Sequence, residues 1–339
     1  MGVFHLMGLG RSVGAVTGPL SYLRHQYFHN QAFFSRSGEM KQREEGKKVG
    51  DIQSIIFFTT QEVLEGILPD DRPFLAYPYY DNKEGTLPAH PQEVKAGTMK
   101  DTLKQILSKI LKPMVAANVA ENVSKKSLIS LQRDIYWVEI DRRNLQVTFE
   151  RVALIIQALQ TGKEGKEIWG NLTGGNNVTN FALQLAANLT GEVARLYYIQ
   201  AQDQVAERCI RYTAHEGYWV EIPVMPLGLE PVSYAILQTL AQLQEPAPSD
   251  DLYGLLQQDP IHSPLVFSIP KEQFEHTFLR HLWKQGLLAE SSKRTYVLGP
   301  QWDVLEPYAT LLQTIQKSQT SMKELSHQKA WLTKDILSL

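Results

Sequence analysis

Two apolar runs near the start of the chain, VFHLMGL at 3–9 and IQSIIFFTT at 52–60, are too continuous for strands that keep one face in water. Runs of this length and composition predict strands buried on both faces. Each leads into a helical pattern, GRSVGAVTGPLSYL after the first and QEVLEGIL after the second. LQRDIYWVEI, KEIWGNLTGG and VARLYYIQ predict three more strands. TMKDTLKQILSKILKPMVAANVAEN predicts an amphipathic helix, stopped or kinked near Pro113. NLQVTFERVALIIQALQTG reads as extended at its start and helical afterwards, and RCIRYTAHEGYWVEIPVMPL as an antiparallel hairpin. Strands alternating with helices across 1–225 predict an α/β fold, a Rossmann-like, mostly parallel sheet covered on both faces. The stretches 29–51 and 69–97, charged or rich in Pro, Gly and Asp, read as loops.

After Leu227 the pattern changes. LEPVSYAILQTLAQLQEPAPSDDLYGLL starts a helix, stops at Pro246 and Pro248, and restarts. SIPKEQFEHTFLRHLWKQGLLAES predicts a long amphipathic helix with Phe274, Phe278, Leu279 and Leu282 inward, and SSKRTYVLG a strand after a basic turn. That order predicts a smaller winged helix-turn-helix domain. The expected division is 1–226 for the sheet domain, 227–300 for the winged helix, and 301–339 for a helical tail, broken near Ser318–Ser321.

Composition narrows the classes. Hydrophobic residues at 43%, charged residues at 21% and a net charge of −2 describe a globular chain with no global pull toward nucleic acid or acidic membranes. Cys209 stands alone, which excludes a disulfide framework or a zinc–cysteine cluster within one chain and fits a reducing cytoplasm. MGVFHLMGLGRSVGAVTGPL lacks a basic leader, and its glycines suit a strand and turn better than a signal peptide, a membrane span or a myristoylation site.

Chemistry concentrates in two glycine turns. GLGRSVG (8–14) has G-x-G but ends G-x-x-x-G, a partial dinucleotide fingerprint that a tight strand-to-helix turn explains equally well. Thr59 and Thr60 end the second strand where a nicotinamide cofactor needs an acid for its ribose, and no Gly-Lys-Ser/Thr follows either glycine turn. No cofactor and no metal are therefore expected. In the second turn, NLTGGNNVTNFALQLAANLTG (171–191), two glycines let a ligand approach the main chain. The helix that follows opens with unpaired N–H groups and a positive dipole end, which favour an anion. Both turns sit at expected carboxyl ends of strands, where ligands of parallel sheets bind.

IWGNLTGGNNVTNFALQLAANLTGEVARLYYI resembles the signature segment of CARF domains, the CRISPR-associated Rossmann fold, in which a strand ends in a Thr-Gly-Gly turn. HLMGLGRSVGAVTGPL is similar to that family's first strand and ligand loop, and a winged helix is a common companion. The resemblance brackets residues 3–199. It implies a cytoplasmic homodimer that binds cyclic oligoadenylate, most often cyclic tetra-adenylate, across its two-fold axis. Carried over by position, Gly10, Arg11 and Ser12 line one side of each half-site, and Thr173, Gly174, Gly175, Asn176 and Asn177 the other, with Thr59 and Thr60 at the second strand's end. Where many relatives carry Thr-Lys after the glycines, this chain has Asn176-Asn177, so the family's cation is missing. The alternative activity is a metal-independent ring nuclease, with Arg11 and Ser12 as its catalytic residues.

Effector signatures of that family are formal here. RHQYFH, Arg24 to His29, has Arg-x4-His spacing but lies beside the first sheet helix. Asp70 with Glu93 and Lys95 fits a nuclease pattern inside a loop, and His276 and His281 are isolated. Across 231–300 five basic residues face seven acidic ones, which makes a poor generic DNA binder. Lys284, Lys293 and Arg294 cluster at the helix end and wing, so contact with DNA or RNA and a purely dimerising role both stand.

Overall fold

The computed structural model describes residues 3–10, 12, 14–30, 33–34, 52–65, 75–76, 94–95, 99–122, 132–161, 166–200, 219–224 and 231–338. Two compact units result, Met1–Pro226 with Ile315–Leu339, and Leu227–Thr314. In the first, β1 (Val3–Gly8) runs into α1 (Gly14–His29), and β2 (Ile52–Thr59) into α2 (Gln61–Glu65). Two short strands, β3 (Leu75–Ala76) and β4 (Val94–Lys95), pair with each other. There follow α3 (Met99–Asn122), β5 (Gln132–Glu139), α4 (Leu145–Gln160), β6 (Glu167–Asn171), α5 (Asn177–Thr190), β7 (Arg195–Ile199) and β8 (Trp219–Ile222). The second unit holds α6 (Pro231–Leu243), β9 (Ala247–Pro248), α7 (Ser249–Gln258), α8 (Ser263–Val266), a helical stretch α9 (271–284), β10 (Leu288–Ser292) and β11 (Thr295–Leu298). From there α10 (Pro300–Gln316) leads to α11 (Met322–Gln328) and β12 (Leu332–Ser338).

The main sheet has the order β12-β5-β2-β1-β6-β7-β8. Its five inner strands are parallel, and β12 and β8 close the two edges antiparallel. This is a Rossmann-like α/β sheet. The apolar runs are strands because both faces are covered. Val3, Met7, Ile55, Phe57, Trp137, Trp169 and Tyr197 join Leu20 and Leu23 of α1 and Leu103, Leu107 and Ile110 of α3 in one core. Leu6, Ile56, Phe58, Val138 and Ile168 are buried on the opposite face, as are Val152 and Ile156 of α4 and Leu183 and Ala186 of α5. The chain builds β1, β2 and β5 toward one side and then crosses to place β6 and β7 on the other. The topological switch point therefore lies between β1 and β6.

Some local expectations need correction. The helical assignment of α3 runs through position 113 to 122, with no stop at the proline. A proline inside a helix loses one backbone bond. Burial of Met99, Leu103, Leu107, Ile110, Leu111 and Met114 along the same helix outweighs that loss. The segment expected to be extended at its start is helical from Leu145, because the Asn144 side chain accepts from Val147 N at 3.1 Å and caps it. Of the expected hairpin at 208–227 only 219–224 is described, and β8 pairs with β7.

The tail is not wholly helical. It breaks at Ser318–Ser321 as expected, where Ser321 and Glu324 form a capping box for α11. Its last seven described residues are instead a strand, β12, along β5, with Lys334 opposite Tyr136. The reason is the edge of the sheet: β5 would otherwise present unpaired backbone groups. Leu332 and Leu337 bury, and Asp335 Oδ2 receives Lys104 Nζ at 2.8 Å, Lys100 Nζ at 2.9 Å and Trp137 Nε1 at 2.9 Å.

The second unit packs three helices around Ile236, Leu240, Leu252, Phe274, Phe278, Leu279 and Leu282, against a three-stranded sheet of order β10-β11-β9. In α9 the middle segment, Phe274–Leu279, is π-helical. All four residues expected inward are buried.

Burial opposes the charge of Asp335, yet Lys104, Lys100 and the Trp137 indole together hold its carboxyl below the ordinary range. A depressed folded-state pKa means that the contribution is complete above the unfolded value of about 4. It is lost as pH falls through the lower folded value. Asp335→Asn should therefore lower stability at pH 7 by about 1–2 kcal/mol, kept small by partial exposure. Urea titrations of both proteins should converge as pH drops to about 3; curves that stay parallel throughout would assign the loss to packing.

Candidate functional site

The two glycine turns meet. Gly8 ends β1, and Gly174 and Gly175 follow β6, its parallel neighbour in the sheet. A Cβ on Gly8 would lie 2.7 Å from the Gly174 carbonyl oxygen, and one on Gly175 would lie 2.9 Å from Gly8 Cα. Gly175 also has φ +84°, a left-handed conformation that side chains disfavour. The glycines are therefore first a packing requirement: two backbones pass with no room for a β-carbon. Gly10 differs, since a Cβ there would find its nearest neighbour, the Gly175 carbonyl oxygen, at 3.7 Å.

A buried asparagine holds this junction together. Asn171, fully buried at the end of β6, donates through Nδ2 to the Ala15 carbonyl at 3.4 Å and accepts from Thr173 N at 2.9 Å. One amide thus ties the start of α1 to the turn before α5. The sequence reading missed it. Its only signal was a polar residue closing the apolar run IWGN. Thr173, expected to face a ligand, uses its Oγ1 to accept from Ile199 N at 2.8 Å, which pins the turn to the end of β7.

The asparagine pair divides its work. Asn176 is the N-cap of α5, its Oδ1 accepting from Thr179 N at 2.9 Å and from Thr179 Oγ1 at 3.0 Å. Asn177 is exposed, with no side-chain partner among the described residues. The backbone N–H groups of 174–178 likewise have no partner among the described residues. Neither α1 nor α5 carries an acidic residue in its first turn. An Ala15 Cβ lies 3.4 Å from where a Gly174 Cβ would be, so the two helix starts converge. Unpaired donors and two positive dipole ends on one surface favour an anion.

The remaining expected residues are distributed around it. Gly10 and Ser12 lie between β1 and α1, and Ser12 is half-buried. Arg11 lies outside the described residues. Thr59, at the end of β2, is buried, and its Oγ1 has no hydrogen-bond partner among the described residues. Thr60 starts α2, hydrogen-bonds Glu62 and holds that carboxyl low. It lines a hollow of about 680 Å³ beyond β2 and β5, with Glu139, Asp141, Arg142, Arg143 and Arg151. Thr59 and Thr60 lie at the same carboxyl edge of the sheet as the glycine turns.

No family model matches the chain. It is similar to an uncharacterized protein of Archaeoglobus fulgidus, 26% identical over 249 residues, covering 68% of this chain and 70% of that one. Among solved structures it is similar to Enterococcus italicus Csm6 bound to cyclic hexa-2'-fluoro-hexa-dAMP, at 11% identity and a TM-score of 0.38. That match covers 93% of this chain and 60% of the other, so the chain spans less than two thirds of that structure's length.

Other candidate chemistry stays apart. Arg24 and His29 both lie on α1, Asp70 and Glu93 lie outside the described residues, and Lys95 belongs to β4. His276 and His281 lie on α9, and His281 Nε2 is 3.0 Å from Gln285 Nε2. Among the described residues no three His, Cys, Asp or Glu side chains gather as a metal site, and no helix is long and apolar enough to cross a membrane. In the second unit Lys284, Lys293 and Arg294 are all exposed. Arg294 is nevertheless committed: its guanidinium pairs with Glu275 of α9, which also accepts from Ser249 Oγ at 2.9 Å. Lys271 pairs with Asp250 at 2.7 Å.

Gly174→Ala should cost about 1–3 kcal/mol, because the new methyl must push two backbones apart. Gly10→Ala should cost less than about 0.5 kcal/mol. Equilibrium unfolding distinguishes them; equal, small losses would mean that the turns do not pack as described.

Proposed function

We propose that this chain is a dimeric sensor of cyclic oligoadenylate, most simply cyclic tetra-adenylate, acting in type III CRISPR signalling. The observation that carries the reading is the junction of the two glycine turns at the switch point. Segments far apart in sequence, each resembling a CARF ligand motif, contribute to one donor-rich surface between β1 and β6. A ring of phosphates with two-fold symmetry suits two copies of such a surface across a dimer axis. In this reading the N–H groups of 174–178 and the Asn177 amide hold phosphate, with Gly10, Arg11 and Ser12 on the opposite side.

Sensing is favoured over ring cleavage by the donor set. In cleavage a ribose 2′-hydroxyl attacks the adjacent phosphorus, the 5′-oxygen leaves with a proton, and a 2′,3′-cyclic phosphate remains. A cation beside the phosphorane stabilises the charge that develops. The position of the family's lysine holds the neutral Asn177, which leaves Arg11, on the opposite side, as the cation of this reading.

For the second unit we read a winged helix that contacts a partner or nucleic acid. The packing of α6, α7 and α9 against a small sheet supports the architecture, while the Arg294–Glu275 and Lys271–Asp250 pairs reduce the charge available to phosphates.

The test is equilibrium binding of pure protein to cyclic tri-, tetra- and hexa-adenylate in EDTA, with the ligand recovered and its ends analysed. We expect one ring per two chains, recovered intact. Asn177→Ala should weaken binding about 3–10-fold with an unchanged melting temperature, the loss of one or two neutral hydrogen bonds. No binding of any ring would remove the reading, and a 2′,3′-cyclic phosphate product would replace sensing by cleavage. For the second unit, Lys284→Glu with Lys293→Glu should abolish any nucleic-acid binding while leaving ring affinity intact. Arg294 is left alone because reversing it breaks its pair with Glu275; nucleic-acid binding that survives the double reversal would move the contact elsewhere.

A further inference from the structure

One turn into α5, Phe181 is 61% exposed, whereas the next most exposed aromatic residues described in its unit, Phe28 and Tyr198, reach 37%. A single exposed apolar residue is ordinary on a protein surface. Its location is not ordinary. Phe181 follows Asn177 by four residues, so the two exposed side chains occupy one face of the helix about 5–6 Å apart. Side chains in a helix lean toward its N-terminus and cover the preceding turn. The phenyl ring is thereby carried toward Asn177 and the glycine turn rather than away along the helix. The inner residues of α5, Ala182, Leu183, Ala186 and Ala187, are buried on the sheet, so burying Phe181 is not needed to fix the helix.

A flat apolar ring within one helical turn of an anion site matches a ligand with phosphate and a planar apolar group side by side. An inorganic anion or a sugar phosphate has no use for the ring; a nucleotide does, because every base offers a π-face. We infer that Phe181 is a stacking platform for a base of the ligand, and so a specificity-determining residue of the site. This rests on the ligand reading above and sharpens it: the glycine turns and Asn177 take the phosphate, and Phe181 takes the base. Stacking is worth a loss of about 5–100-fold when the aromatic is removed.

The experiment uses cyclic tetra-adenylate carrying one 2-aminopurine, whose fluorescence is quenched when the base stacks. The full-length protein is compared with Phe181→Tyr, which keeps a stacking face, and Phe181→Leu, which keeps only apolar bulk. Quenching and affinity should persist in the tyrosine variant and fall together in the leucine variant, with melting temperature and sedimentation unchanged. Equal quenching in all three overturns the inference while leaving the ligand reading in place. So does an oligomeric state that changes in the leucine variant with quenching retained, which would make Phe181 a contact between chains. If the unaltered protein binds no ring, the ligand reading itself fails. The same variants measured against 2-aminopurine nucleoside triphosphate then decide the matter, and quenching that is absent or independent of residue 181 overturns the inference.

Discussion

Everything at the working edge of this sheet depends on two backbones passing each other without a β-carbon between them. In the order β2-β1-β6 the central strand and its neighbour must each turn into a helix at the same edge. Their turns therefore leave from strand ends one inter-strand spacing apart, about 4.8 Å. At that separation side chains on both turns would collide, and the close approaches at Gly8, Gly174 and Gly175 state the constraint atom by atom. Removing the side chains has a chemical consequence. A surface without Cβ atoms exposes N–H groups, and the helix starts behind it supply unpaired ones. Close packing and exposed donors follow from one arrangement, which is why glycine-rich turns at a switch point carry more meaning than the same letters elsewhere.

Much of this was legible in the chain. The buried strands announced themselves as apolar runs, and the two glycine turns as breaks at their ends. What could not be read was the use made of each polar side chain. Asn176 and Asn177 look alike in sequence, yet one caps α5 and the other is free to meet a ligand. Asn171 and Thr173 spend their hydrogen bonds on neighbouring segments that sequence spacing does not bring together. Arg294 looked like a wing cation until its partner Glu275, nineteen residues earlier, was visible. The strand β12 was missed because LTKDILS carries alternating polarity too weak to compete with the helical pattern before it. Its strand character comes from the vacant edge of β5, a tertiary cause.

The return of the chain to that edge has a further consequence. The second unit is spliced into the sheet domain between β8 and β12, and these strands are its opposite edges. A domain appended at one terminus is anchored at a single point. Here both ends of Leu227–Thr314 continue into the first unit. The anchoring of β12 is in part polar: Asp335 to two lysines and an indole, Lys334 to Asp134 at 2.8 Å, and Trp331 beneath Arg151. Such contacts hold an edge strand in place while leaving it less buried than the central strands.

Charge decides what kind of site the junction makes. Helix dipoles and preorganised N–H groups attract a phosphate and also stabilise charge that grows on it, so by themselves they do not separate holding from cleaving. A lysine beside the phosphate would add a full positive charge to that field. At the position after Asn176 this chain has an amide instead, and that amide is exposed and unspent. Asn177 is accordingly where a cation would enter without disturbing the fold, whereas replacing Asn176 would remove the helix cap, at about 1 kcal/mol. Asn177 is thus the position at which a change of charge would alter the chemistry of this surface while leaving the helix cap in place.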